Sequence, residues 1–185
     1  MIKRTIDIVV SLLLLVLLSP VFILIAILIR LDSKGSILFT QERVGRYGKR
    51  FQMYKFRSMV PNADQIGGYS TAVGDPRITK IGAFLRKTSL DELPQIINVL
   101  LGDMSLVGPR PDVPAQRENY NQSDWDKRNS VRPGITGLAQ ATVRSFASPG
   151  ERTKLDLEYV DKQSLLLDIK VMLLTIKQVL GKGSF

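Results

Sequence analysis

The sequence predicts an α+β fold, mainly helical, with a small β-hairpin, an N-terminal re-entrant membrane helix–break–helix and interfacial amphipathic helices. Three observations predict it. The chain opens on an almost unbroken apolar run from Ile8 to Ile29. Two strand-like segments follow, joined by a linker that holds Gly45 and Gly48. Beyond them, apolar residues recur at helical spacing in several separate stretches. At 185 residues the chain is long enough for one domain with a real core. The expected division is a membrane anchor over 1–32 and a single functional unit over 33–185.

A net charge of +9 predicts an anionic partner, whether nucleic acid, an anionic membrane surface or a phosphorylated substrate. The chain has no cysteine and no histidine. Disulfides, thiolate nucleophiles, Ser-His-Asp hydrolysis and His-ligated zinc are therefore excluded. Proton transfer and metal binding fall to carboxylates, lysine, tyrosine or water. Aromatic residues are few, and no Walker A, GxGxxG or nucleic-acid fold motif is present. No nucleic-acid partner is expected.

The apolar run is long enough for a transmembrane helix. It is too long for a cleaved signal peptide, and no small-x-small site follows it. Ser19-Pro20 lies at its midpoint, where proline removes a helix bond. Both ends are basic, with Lys3 and Arg4 before and Arg30, Lys34 and Arg43 after. The positive-inside rule draws both ends to the cytoplasmic side. A hairpin broken at Ser19-Pro20 satisfies both facts; each arm of about 12 residues reaches roughly 18 Å into one leaflet. A single Pro-kinked spanning helix is the alternative. Carbonyls freed at the break need partners, and the Ser11 and Ser19 hydroxyls are nearest. Asp7 is spaced to pair with Lys3 or Arg4.

Residues 36–43 and 51–57 read as the two strands of a hairpin. On the second, Met53, Lys55 and Arg57 share one face. Lys55 and Arg57 either point two cations at one anion or are solvated charges. Residues 60–77 lack periodicity and form a loop, of the length at which lids occur. Residues 78–87 (ITKIGAFLRK) form a short helix.

The next stretch, RKTSLDELPQIINVLLGDMSLVGPRP from Arg86 to Pro111, organises the chain. Leu93, Ile96, Ile97 and Leu100 repeat at helical spacing, so a helix with one buried face is expected. Gly102 ends it. Pro94 belongs in its first turn, which puts Asp91 and Glu92 at the helix start. Two readings of the acids fit. Ser89-x-x-Glu92 matches a capping box, and acids complement the helix dipole. Alternatively one carboxylate attacks phosphorus while its neighbour helps hold a divalent cation. Arg86 and Arg110 flank the pair, and prolines on both sides stiffen the backbone at Arg110.

Beyond this, 112–128 reads as a helix and a loop, and RPGITG (132–137) as a second Pro/Gly turn with an arginine. Arg144 follows seven residues later. Residues 150–163 form a charged helix. Residues 165–180 form an apolar helix with Lys170 and Lys177 on one stripe, either interfacial or core.

These strings together resemble the monotopic phosphoglycosyl transferases, the bacterial sugar transferase family. The matching segments are the Lys3-Arg4…Asp7…Ser19-Pro20 anchor, LFTQERVG, YKFRSM, SLDELPQIINVLLGDMSLVGPRP and RPGITGLAQ. They cover essentially the whole chain in the family's order. The resemblance implies transfer of a sugar 1-phosphate from a UDP-sugar to undecaprenyl phosphate, with UMP as co-product, at the first membrane step of surface polysaccharide or glycoconjugate synthesis. It implies Asp91 as nucleophile, forming a covalent phosphosugar intermediate, and Glu92 as a partner in Mg²⁺ binding. Lys55, Arg86, Arg110 and Arg144 correspond to the family's phosphate-handling cations, and Ser19-Pro20 to the break of its re-entrant anchor. It further implies a bacterial inner membrane location with the site on the cytoplasmic face, and it is compatible with downstream glycosyltransferase partners and a homo-oligomer. Many members carry Asn-Gly before the last arginine; here the residues are Ala141-Thr-Val-Arg144. The larger relatives' extra N-terminal transmembrane domain is not expected. A different class of protein, a membrane-anchored basic scaffold without catalysis, would also account for the anchor, the charge and the capping-box spacing.

Overall fold

The structure, a computed structural model, describes residues 2–67, 74–143 and 148–182. A long helix, α1 (Ile2–Asp32), precedes a hairpin of β1 (Leu38–Val44) and β2 (Arg50–Phe56). Three short helices follow: α2 (Ala63–Ile66), α3 (Lys80–Lys87) and α4 (Gln95–Leu101). Next come β3 (Ser105–Val107), α5 (Gln122–Arg128), β4 (Gly134–Thr136) and α6 (Leu138–Thr142). Two longer helices, α7 (Pro149–Asp161) and α8 (Leu165–Lys182), complete the order. This is the expected α+β class.

α1 runs unbroken through Ser19 and Pro20. The expected division into two helices does not occur, and the reason is local. Pro20 has no N–H to give the Val16 carbonyl, and Ser19 Oγ donates to that carbonyl instead at 2.8 Å. A re-entrant path therefore requires a bend in a continuous helix. Ser11, the other hydroxyl expected to help, is fully buried and unbonded among the described residues.

Both ends of α1 are fastened to the rest of the chain. Lys3 Nζ donates to the Val107 carbonyl at 3.1 Å and pairs with Asp168. Arg4 Nη2 donates to the Leu100 carbonyl at 2.9 Å. Asp7 does not pair with Lys3 or Arg4. Its carboxylate accepts from Ser105 Oγ at 2.9 Å and from the Leu106 N–H at 3.2 Å. β3 pairs with β4 through Ser105 and Val107, so the Leu106 N–H faces away from the ladder and needs this acceptor. At the other end, Ile25 and Ile29 share a core with Phe56 and Leu85.

β1 and β2 pair antiparallel, Leu38 opposite Phe56 and Val44 opposite Arg50. The free edge of β2 is closed by Asn98 of α4, whose Oδ1 accepts from the Tyr54 N–H at 2.9 Å and whose Nδ2 donates to the Gln52 carbonyl at 2.7 Å. Gly102 ends α4 at φ 93°, a left-handed conformation that costs glycine little. The buried face of α4 is made by Gln95, Ile96, Asn98 and Val99. Ile97 and Leu100, expected on that face, are half-buried. The polar ladder contacts of Asn98 set the helix rotation.

β3 and β4 form a parallel pair, with Ser105 opposite Gly134 and Val107 opposite Thr136. The sequence suggested only a Pro/Gly turn at 132–137. The approach is so close that a Cβ on Gly134 would sit 2.1 Å from the Gly108 nitrogen. The pair fixes the backbone just before Arg110. Loop 60–77 contains α2, and its base is closed by Val60 N donating to the Arg77 carbonyl at 2.8 Å. Ser148 and Glu151 form a reciprocal capping box at the start of α7. α8 buries Val171 and Asp168 but exposes Leu166, Ile169, Leu173 and Ile176.

Candidate active site

The acidic pair does not lie on α4. Leu90–Glu92 form a separate 3₁₀ turn that leads through Pro94 into that helix. Ser89, the capping residue suggested by spacing, sits at φ 57° and its side chain accepts no capping bond. The capping-box reading of the acids therefore fails. The turn packs against β2 and α3, which supply cations from two sides.

Lys55 of β2 donates to Glu92 Oε1 at 2.7 Å, and Arg110 Nη2 donates to the same oxygen at 2.9 Å. Burial alone would push the Glu92 carboxyl up, but the Arg110 and Lys55 cations hold it well below the usual carboxylate range. Glu92 in turn raises the Arg110 guanidinium. Asp91 is treated differently. It is 8% exposed, and its nearest cation is Lys55, 4.0 Å from Oδ2. It accepts no hydrogen bond among the described residues. Burial pushes its carboxyl above the ordinary value, Lys55 opposes, and Glu92 adds to the rise. Arg86 and Arg110 also act on Asp91 by charge. Two adjacent carboxylates are thus driven apart, which is how neighbouring acids acquire different roles.

Arg86 is held by its Nε donating to Ser58 Oγ at 2.9 Å. Arg57 is not part of the cluster. It lies beyond the end of β2, is buried, and its Nη2 donates to the Ser33 carbonyl at 2.6 Å and to Ser33 Oγ at 2.9 Å. It closes the C-terminal end of α1, so only Lys55 of the expected pair reaches the acids. Arg144 lies outside the described residues.

Two arginines escaped the sequence reading as site residues. Arg43 Nη1 donates to the Pro111 carbonyl at 3.0 Å, and burial together with nearby Arg110 lowers its guanidinium to about 10. Its place depends on Val44 N donating to the Asp112 carbonyl at 2.9 Å, a contact without a local sequence signal. Arg128 is 4% exposed and lies between Asp112 and Asp156. Its Nη2 also donates to the Arg110 carbonyl at 2.6 Å. Arg128 therefore holds the backbone that aims Arg110. At the end of α5 it reads in sequence only as a charge complementing the helix dipole.

No three Asp, Glu, His or Cys side chains converge among the described residues. The pair Asp91 and Glu92 cannot build a complete cage. It does suit Mg²⁺, which takes one or two carboxylates together with substrate phosphates.

Buried Asp91 and half-buried Glu92 thus lie within the charges of Lys55, Arg86 and Arg110. A family model described as bacterial sugar transferase matches residues 1–182. The chain belongs to the bacterial sugar transferase family. It is 45% identical over 194 residues to the UDP-glucose:undecaprenyl-phosphate glucose-1-phosphate transferase of Escherichia coli K12, covering 100% of this chain and 42% of that protein. It is 42% identical over 188 residues to the UDP-N-acetylgalactosamine-undecaprenyl-phosphate N-acetylgalactosaminephosphotransferase of Aeromonas hydrophila, covering 97% of this chain and 44% of that protein. The chain thus spans less than half the length of these relatives. Against the exopolysaccharide production protein PSS of Rhizobium leguminosarum bv. phaseoli it is 41% identical over 194 residues, covering 98% of this chain and 96% of that protein.

Replacing Glu92 by Gln leaves Lys55 and Arg110 facing a neutral amide. A carboxyl depressed in the folded state contributes stability above its unfolded pKa, about 4.3 for glutamate, and loses it as pH falls. Thermal unfolding of Glu92→Gln at neutral pH should therefore fall below wild type, with the gap closing in acid. An unchanged melting temperature at neutral pH would contradict the ion-pair geometry.

Proposed function

We propose that this chain transfers a sugar 1-phosphate from a UDP-sugar to undecaprenyl phosphate, in two displacements at Asp91. The observation that carries the reading is the contrast within the dyad. Glu92 is clamped by two cations, whereas Asp91 is buried, raised and accepts no hydrogen bond among the described residues. A carboxylate relieved of hydrogen bonds and partly desolvated is a stronger nucleophile than a solvated one.

In the first step an Asp91 carboxylate oxygen attacks the phosphorus that carries the sugar. The bond from that phosphorus to the bridging oxygen breaks, and the oxygen leaves with UMP. In the second, an oxygen of the lipid phosphate attacks the same phosphorus, and the aspartyl oxygen leaves as carboxylate. The product is the polyprenyl diphosphate sugar. No proton transfer is needed, which accords with a chain that has no histidine. Attack of one anion on another is repulsive, and Lys55, Arg86 and Arg110 offset it. Asp91 and Glu92 would hold Mg²⁺, which supplies further neutralisation of phosphate charge.

The membrane reading is monotopic. α1 is long and apolar enough to cross a bilayer. Yet Lys3, Arg4 and Asp7 at one end and Ile25 and Ile29 at the other all touch the same polar domain. A spanning helix would carry one end about 30 Å away, across the hydrocarbon core. The apolar exposed face of α8, with Lys170 and Lys177 free to snorkel, suits the interface. Both features support an anchor over 1–32 that dips into the cytoplasmic leaflet and holds the site over 33–185 at lipid-phosphate depth.

The test is nucleotide release. UDP-sugar and Mg²⁺ added without lipid acceptor should liberate UMP in an amount near that of the enzyme, and acceptor should restore turnover. A scaffold would release none. Turnover with acceptor but no release without it would refute the two-step scheme.

A further inference from the structure

We propose that the β1–β2 hairpin tip and the first turn of α1 form one docking surface for anionic lipid headgroups. The surface is built from the guanidiniums of Arg46 and Arg132, which converge on a third, Arg4, whose Nη1 donates to the Val99 carbonyl, although the three are far apart in sequence. Arg4 Nη2 donates to the Leu100 carbonyl at 2.9 Å and lies 3.4 Å from where a Cβ of Gly102 would stand. Arg132 Nε donates to the Gly102 carbonyl at 2.8 Å. Arg46, at the hairpin tip, donates from Nε to the Ser130 carbonyl at 2.8 Å. Each of Arg46 and Arg132 uses Nε to fix its stem, and its terminal amino groups have no hydrogen-bond acceptor among the described residues. Burial, then the charges of Arg4 and Arg46, lower the Arg132 guanidinium, as expected for a cation crowded by like charge.

Asp7 offsets part of the charge on Arg132, but local acids are engaged elsewhere. Asp7 is buried on Ser105 and Leu106, and Glu42 pairs with Arg50. Asp103 is turned toward the Asn98 amide, 3.5 Å away. Lys49 adds a further exposed charge at the tip.

Apolar groups rim the cations. Tyr47 is 74% exposed, Ile2 68% and Leu101 64%. Tyr47 is held at φ 57° by its N–H donating to the Asn129 carbonyl at 2.7 Å, with the Arg46 guanidinium 4.5 Å from its ring centre. Guanidiniums, a tyrosine and exposed aliphatics in one surface match the headgroup zone of a bilayer. The patch is continuous with the start of the apolar helix, which commits the partner to lipid rather than to an acidic protein or nucleic acid. The inference rests on the monotopic placement proposed above. It adds a second point of contact that fixes the rotation of the domain on the membrane.

The test uses the full chain, which has no native cysteine. Tyr47→Cys carries an environment-sensitive fluorophore, and the protein is reconstituted in two kinds of vesicle. One is phosphatidylcholine; the other is three parts phosphatidylcholine to one part phosphatidylglycerol. With the anionic lipid the emission should shift to shorter wavelength and iodide quenching should fall. Salt near 1 M, where the Debye length is about 3 Å, should reverse both changes. Inorganic phosphate at matched ionic strength should have no added effect. Arg46→Gln and Lys49→Gln should each lower the docked-to-free ratio about fivefold, the equivalent of roughly 1 kcal/mol per basic residue. Donor-dependent UMP release should be unchanged in both variants. Identical, fully quenchable spectra in the two vesicles would overturn the inference while leaving the transferase reading intact. Failure to float with either vesicle would overturn the membrane placement as well.

Discussion

Replacing Asp91 by Asn is expected to abolish UMP release and transfer, by about a thousandfold or more, while the melting temperature stays level or rises. The two halves follow from one geometry. The carboxyl is buried, and burial raises it above the ordinary aspartate value. A carboxyl raised in the folded state takes up protons on folding. Its stabilising effect is complete below the unfolded pKa and is lost as pH rises through the folded one. At neutral pH the ionised Asp91 therefore opposes folding, and a neutral amide of the same shape removes that opposition. Lys55 keeps Glu92 as its partner at 2.7 Å, so no cation is orphaned. The same shift sets the pH profile: wild-type release should decline in acid through a pKa above the aspartate range. Thermal scans beside a release assay check both halves. An Asn variant that is inactive because it melts early would contradict the account, as would one that keeps its activity.

Arg128→Met is expected to cost about 3–5 kcal/mol, because it strands two buried acids rather than one. For a chain of this size that corresponds to a fall of about 6–20 °C in melting temperature. Arg128 lies 2.6 Å from Asp112 and 2.9 Å from Asp156. Burial already raises both acids, and Arg128 is the largest force opposing that rise. Without it their folded pKa values climb further, so the deficit should widen from acid to neutral pH. Combining the change with Asp112→Asn and Asp156→Asn should recover part of the loss. Activity should not return with it, since the Arg110 carbonyl has still lost its 2.6 Å donor. Chemical denaturation at several pH values, with release assayed on each folded variant, makes the test. A deficit independent of pH would contradict the assigned role.

Local pattern revealed what local physics determines. The hairpin, α3, α7, α8 and the glycine stop at 102 all follow from periodicity or turn chemistry, and each is observed. The acids at 91 and 92 were visible because their flanking string is long. Long-range pairing carried no such signal. β4 is three residues in a Pro/Gly segment, and it becomes a strand only because β3 lies alongside. Spacing matches Asp7 to Lys3 and Arg4, whereas its carboxylate accepts from the Leu106 N–H, which faces away from the ladder. Strand alternation places Arg57 beside Lys55, but the strand ends one residue earlier and Arg57 donates to the Ser33 carbonyl at the end of α1. Spacing places Ser19 beside the carbonyl that Pro20 leaves unbonded, but the helix continues through this bond rather than breaking there.

The proposed transfer turns on a covalent bond between Asp91 and the transferred phosphorus. Intact-mass spectrometry of the protein quenched after exposure to UDP-sugar and Mg²⁺, with lipid acceptor withheld, addresses it most directly. The account predicts a gain equal to one sugar phosphate, mapped to the peptide holding Asp91 and discharged on adding polyprenyl phosphate. An unmodified mass in a preparation that makes product once acceptor is supplied would mean direct transfer between the two substrates.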